Sequence, residues 1–440
     1  MMKKIVAMLM AMLMVMTMIA CDTTPGGPGE NPGVDPQETL TPSDGPVTLN
    51  WSATYLDPAV VKKYVDQYNA MQDHTTVVVS EATYGSVADY TAALALNIAT
   101  GDGAYDLFSM SAADFNKYVN SGVTYCLDKW LLNNEDVKAY ALDSVMRDGH
   151  VFGYPATNDV VGVYINLDML KNAGHTVDEI TSWETMLQCA ADIAKTEGNY
   201  GLLTHLGFGG GYAEFLWYSS MWSAGADITM DLEGNVTIKN KDALAEAAMD
   251  WRELIMGPAG STEFNNNIEY FVNGLCGMCL TGQTALAEMD EFLAGGYSFE
   301  WTFIPVPPAK EGGQSYSSMG GWFTVVNARN EHLYEAIEFM NWLYFESDYI
   351  ADMCRRYYQI SPLHSADEKL DDLYSTYYGW VYNYISKGEM VCKPEIAFDS
   401  KILEQLGKML SSVVYQSTTK EEALAYVERF IDSVDAEVID

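Results

Sequence analysis

Apolar and polar positions along this chain follow two periods that alternate. Val47–Trp51 alternates with the period of a strand, and Val60, Tyr64 and Tyr68 then recur at helical spacing within a helix over Ala59–Met71. Thr76–Ser80 reads as a second strand, Tyr90–Ala99 as a second helix and Asp106–Met110 as a third strand. A βαβαβ rhythm implies parallel pairing, because each crossover helix returns the chain to the same end of the sheet. Further on, Val160–Ile165 and Trp322–Val326 are strand-like, and Leu275–Leu280 is a short apolar run that reads as a buried strand. Thr181 or Ser182 caps a helix that carries Leu187, Ala190, Ala191 and Ala194 on one face, with Glu184 completing a capping box. Leu333, Ile337, Met340 and Leu343 mark another amphipathic helix, and Leu424, Val427, Ile431 and Val434 a last one opened by Thr418 or Thr419.

The amino terminus departs from this alternation. Lys3 and Lys4 precede an apolar run, Ile5–Ile19, which at about fifteen residues is short for a bilayer span. A positive start and an apolar middle read as a secretory signal peptide over residues 1–20. Residues 21–46 form a polar tether in which Pro25, Pro28, Pro32, Pro36 and Pro42 alternate with glycines and cannot build a core. The rest is too long for one compact core and natural for two lobes.

A formal charge of −37 argues against nucleic acid as a partner, which demands Lys/Arg patches, and against a peripheral grip on anionic lipid. Cys276 and Cys279 have CxxC spacing, but in a strand between glycines they read as core thiols, and no second CxxC completes a zinc site. None of the six histidines is spaced as a metal pair, and neither a nucleophile elbow, an HExxH site nor a P-loop is present, so no cofactor, metal or catalytic residue is expected.

Two resemblances give these features a direction. Met18–Cys21 resembles the bacterial lipobox, which implies lipidation of Cys21 and a body held on the outer face of the cell membrane. Firm anchoring takes two acyl chains, since each buried methylene contributes about 0.8 kcal/mol. The body itself resembles the family 1 extracellular solute-binding proteins, the maltose-binding-protein-like receptors of ABC importers. The matching stretches occur in family order: Ala99–Leu107, Gly149–Pro155, Val163–Leu170, Ser182–Glu184, Phe271–Met278, Gly320–Val325 and Ala336–Leu343. Tyr105 or Ala104 stands where the family has proline, and Cys276 and Gly277 where it has alanines.

The resemblance implies an α/β, two-lobed periplasmic-binding-protein-like fold of type II, with a ligand cleft between lobes joined by three crossing segments. It places the crossings near Tyr154–Val160, Phe303–Ala309 and Leu343–Tyr349, giving one lobe of 47–157 plus 304–345 and another of 158–303 plus 346–440. It also implies a small-molecule ligand, most readily a sugar, and permease subunits as partners.

Ligands in open α/β sheets sit beyond the carboxyl ends of strands. That rule selects Trp51 and Ser52, Glu81, and Ser111. The family pattern adds Asn158 and Asp159, Tyr212, Trp217 and Trp222 in an aromatic segment, Gln283, and Gly320, Gly321 and Trp322. Aromatic rings suit the C–H faces of a pyranose and carboxylates or amides its hydroxyls. The competing expectation is a secreted glycoside hydrolase, which needs only two carboxylates and no sequence motif.

Overall fold

The computed structural model describes residues 40–439 apart from 86, 101–104, 112–114, 198, 263–266, 297–298 and 374–376. The signal peptide, Cys21 and most of the tether lie outside the described residues.

Two principal sheets carry the molecule. The first contains β1 (Val47–Ser52), β2 (Thr75–Val79), β3 (Leu107–Met110), β6 (Tyr154–Pro155) and β14 (Phe323–Val326), in the order β2-β1-β3-β14-β6. β1 pairs parallel with both β2 and β3, as the amino-terminal rhythm predicts, while β14 is antiparallel to β3. A hairpin of β4 (Met146–Arg147) and β5 (His150–Val151) precedes β6.

The second sheet contains β7 (Asp159–Asn166), β8 (Tyr200–Thr204), β11 (Cys276–Gly282), β12 (Trp301–Pro305), β13 (Ser315–Gly320) and β15 (Met390–Pro394). Its order is β15-β13-β7-β11-β8, with β12 also pairing β7. Every residue of β7 is buried, which explains its nearly unbroken apolar sequence: both faces are covered, so there is no polar alternation to keep. A small sheet of β9 (Asp227–Met230), β10 (Val236–Lys239) and β16 (Glu437–Ile439) completes the strands.

Local chemistry sets the helix ends. Asp57 accepts from the amides of Ala59 and Val60 to open Pro58–Met71. Ser182, rather than Thr181, accepts from the Thr185 amide at the start of Trp183–Glu197. Thr419 and Glu422 make a reciprocal capping box before Lys420–Val434. Cys276 and Cys279 are free, buried thiols whose pKa is pushed up by burial, as expected of core cysteines.

The topology moves two of the expected crossings. The chain passes from the first sheet to the second through 156–158, between β6 and β7, and returns through Gly321 and Trp322, between β13 and β14. The segment 303–309 is therefore not a crossing. Its first half is β12, hydrogen-bonded to β7, and Pro305 faces Gly162 there. Residues 304–320 belong with the second sheet instead of the first. The segment 343–349 is not a crossing either. Tyr349 packs edge-on against Trp51 and Tyr64 in the core under the first sheet, and the helix Tyr349–Tyr357 lies against Pro58–Met71. The lobe boundary expected at 346 thus falls later in the chain, because the ring of Tyr349 is part of the first core.

Candidate ligand cleft

A cavity of about 560 Å³ opens where the two sheets meet. From the first side it is lined by Tyr55, Ser111, Trp322, Arg356 and Tyr357, and from the second by Asp159, Tyr212, Phe215, Tyr218, Glu288 and Glu395. The loop after β1 supplies Tyr55, held at a positive φ of 65°, and its ring stacks on Trp322 with centroids 4.6 Å apart. On the opposite wall Tyr212 and Phe215 stack with centroids 6.2 Å apart. The hydroxyl of Tyr212 is fixed by Thr281 Oγ1 at 2.9 Å and by the amide of Gly282 at 3.2 Å. That pinning matters because a ring held before the ligand arrives costs no rotamer entropy on binding.

The aromatic wall comes from the helix Tyr212–Ser223. Glu214, buried, accepts from the amides of Gly209 at 2.5 Å and Gly211 at 3.0 Å, tying the glycine-rich loop to the helix start. Residues at spacing three, Tyr212, Phe215 and Tyr218, share the face that looks into the cavity.

Two carboxylic acids form the floor. Asp159 opens β7 and sits directly across from Gly320 of β13. Glu395 follows β15, with its amide donating to Met319 O at 2.9 Å. Asp159 Oδ1 accepts from the Thr284 amide at 3.1 Å, whereas no hydrogen bond to the Glu395 carboxylate is present among the described residues. Burial pushes Asp159 up to about 7, and burial together with the charge of Asp159 pushes Glu395 up to about 7. Bare backbone makes the room: a Cβ at Gly320 would lie 3.1 Å from Glu395 Oε2, and one at Gly282 would lie 2.7 Å from Asp159 Oδ2.

Of the residues anticipated from sequence, Ser111, Asp159, Tyr212, Gly320, Gly321 and Trp322 line this cavity. The others do not. Trp51 is wholly buried against Phe339 and Tyr349, because β1 turns its alternate side chains into the core. Ser52 is buried beside Tyr90, and Glu81 is exposed on its loop. Asn158 is held by backbone bonds to Ile360, and Gln283 is buried with its side-chain amide on Tyr358 O. Trp217 points into the second core, donating to Ala247 O at 3.3 Å, and Trp222 donates to Asp227 at 2.8 Å beneath Lys393. Trp217 lies off the helix face that Tyr212, Phe215 and Tyr218 define, whereas Trp222 shares that face but stands one turn past Tyr218, beyond the cavity lining.

Missed by sequence reading were Tyr55, Phe215, Tyr218, Arg356 and Glu395. Tyr55 had a signal in the strand-end rule, displaced by the turn after β1. Glu395 had none, since only the register of β15 against β13 brings it to the floor. Folding also gathers Cys126, Asp128 and His150, with His150 Nδ1 2.6 Å from Asp128, but this group lies outside the cavity lining.

Two sheets with a ring-walled cavity where they meet define a bilobal binding protein. The bacterial extracellular solute-binding protein profile matches residues 52–348, and the chain belongs to that family. It is 24% identical over 316 residues to a lactose-binding protein of Rhizobium radiobacter, covering 68% of this chain and 70% of the other. It is 22% identical over 271 residues to an arabinooligosaccharide-binding protein of Bacillus subtilis, covering 58% and 59%. The fold is similar to that of a cyclic alpha-maltosyl-1,6-maltose binding protein from Arthrobacter globiformis, with a TM-score of 0.70, 17% identity and coverage of 89% of this chain and 99% of that one. The family binds solutes rather than converting them, which sets aside the hydrolase alternative. Among the described residues no helix is long and apolar enough to cross a membrane.

Proposed function

We propose that this protein is the carbohydrate receptor of an ABC importer, anchored outside the cell through a lipid on Cys21, and that it delivers its ligand to permease subunits without altering it. The observation that carries the reading is the cavity's composition: two stacked ring pairs face each other above a floor of carboxylic acids. A sugar ring presents apolar C–H faces to the former and hydroxyls to the latter, and each aromatic contact adds about 0.5–1.5 kcal/mol beyond its buried area. The lactose- and arabinooligosaccharide-binding relatives support the same class of ligand. Ligand touching both sides of the cavity favours a closed arrangement over an open one by the difference in its affinity for the two.

The test is calorimetric titration with a panel of di- and oligosaccharides. At least one should bind without turnover, and Trp322→Ala, which unstacks Tyr55, should weaken it about tenfold, the equivalent of 1.4 kcal/mol. Failure of every saccharide to bind, or release of new reducing ends, overturns the reading. The anchor is tested separately. Cys21→Ala should move the protein from the membrane fraction to the medium, and unchanged fractionation would remove the lipid from the account.

A further inference from the structure

We propose that Asp159 and Glu395 form a subsite for a protonated amine, so that the preferred solute is an amino sugar or an oligosaccharide carrying one free amino group. The inference rests on the carbohydrate-receptor reading above and narrows its ligand class.

The argument starts from charge. Buried carboxylates in folded proteins are paired with a cation or held by several donors. Here two stand at the ends of the strands that flank β13, on either side of Gly320: Asp159 is buried and accepts from the Thr284 amide, Glu395 is half-buried with no hydrogen bond to its carboxylate, and no lysine or arginine bonds either one among the described residues. The cations nearby are engaged elsewhere. Arg356, which lines the cavity, has its Nε on Asp57 at 3.2 Å, and Lys393 is paired with Asp227 at 2.7 Å. Glu288 and Glu291 add two more acids to the lining, so the cavity has no surplus positive charge to offer.

Shape leads to the same conclusion. Gly320 and Gly282 leave bare backbone beside Glu395 Oε2 and Asp159 Oδ2, where an added Cβ would lie 3.1 Å and 2.7 Å from the carboxylate oxygens. Phe215 lies against the same spot, 2.9 Å from where a Gly320 Cβ would be, and stacks with Tyr212. Ring faces attract ammonium groups as carboxylates do. A small, strongly hydrated cation flanked by two acids and a ring satisfies all three. A hydroxyl donates one hydrogen bond, satisfies one acid and leaves the mutual repulsion of the pair intact. An N-acetyl group brings no charge to offset either acid.

The experiment titrates the full-length protein with matched sets of di- and trisaccharides: the free amine, its N-acetyl form and the hydroxyl parent, differing at one carbon. The amine should bind at least about tenfold more tightly than both partners at pH 7.5, and Glu395→Gln should erase that ratio. In the wild type the ratio should also shrink below pH 7, as the pair takes up protons, and again above the amine's own pKa. Tyr212 and Tyr218 stay protonated throughout this range, since burial raises both. Hydroxyl or N-acetyl forms that bind as tightly as the amine overturn the subsite and leave the receptor reading standing. If nothing in any set binds, the receptor reading itself fails and the subsite falls with it.

Discussion

Gly321→Ala should lower the unfolding free energy by about 3 kcal/mol or more and abolish measurable ligand binding. Two independent facts set the size. Gly321 has φ +152°, a region L-residues rarely enter, so an added methyl strains the backbone wherever it points. It would also lie 2.2 Å from the carbonyl oxygen of Thr157, a backbone atom that cannot swing aside. Thr157 belongs to the first passage between the sheets and Gly321 to the second, so the two straps touch through this missing side chain. Separating them shifts Trp322 and Gly320, which line the cavity on either side. Asn158, next in line, exchanges backbone bonds with Ile360, so the disturbance reaches a third strand of chain. Urea unfolding and calorimetry on the same preparation check both parts. A variant with wild-type stability would show that the straps are not in contact in solution. A less stable variant with intact affinity would show that the contact does not position the cleft.

Much of the scaffold was legible because its periodicities are strong and local. The β1–β3 rhythm follows from alternation and helical spacing in one continuous stretch, and β7 announces itself by being apolar on both faces. The crossings were harder for a physical reason. Prolines in Ile304–Pro308 suggested a break, but among the described residues β12 pairs with β7 alone, and a strand with an open side accepts residues that donate no ladder bond. Trp217 and Trp222 illustrate the limit for the site. Every residue from Ala213 to Trp222 is buried, so the helix has no polar face to reveal its rotation, and its sequence alone does not say which rings meet the ligand. Glu395 depends on strand register between segments far apart in the chain, which no local pattern encodes.

Ligand-free protein should be more stable near pH 5 than near pH 8, and Asp159→Asn should flatten that slope. The sign follows from linkage. Asp159 titrates at about 7 in the fold because burial penalises its charge, against about 3.9 in an unfolded chain. A carboxyl raised in this way contributes stability that is fully present below the unfolded pKa and is lost as pH rises through the folded one. The loss therefore runs from about pH 4 to about pH 7 and levels off above, amounting to about 2–4 kcal/mol for Asp159. Glu395, also raised to about 7, acts in the same direction and over the same window. Groups lowered by partners, such as Asp372 beside Arg355 and Glu179 beside His175, act the opposite way and at lower pH, so the comparison must be between variant and wild type. Asparagine keeps an oxygen for the Thr284 amide and removes the charge, so the variant should be the more stable protein at pH 8 and nearly equal at pH 4. Parallel stability curves from pH 4 to pH 8 would mean that Asp159 reaches water in solution. A bound amine should restore in the wild type what the ionised pair costs it, so saturating ligand should stabilise the protein most at the pH where the empty cleft is weakest.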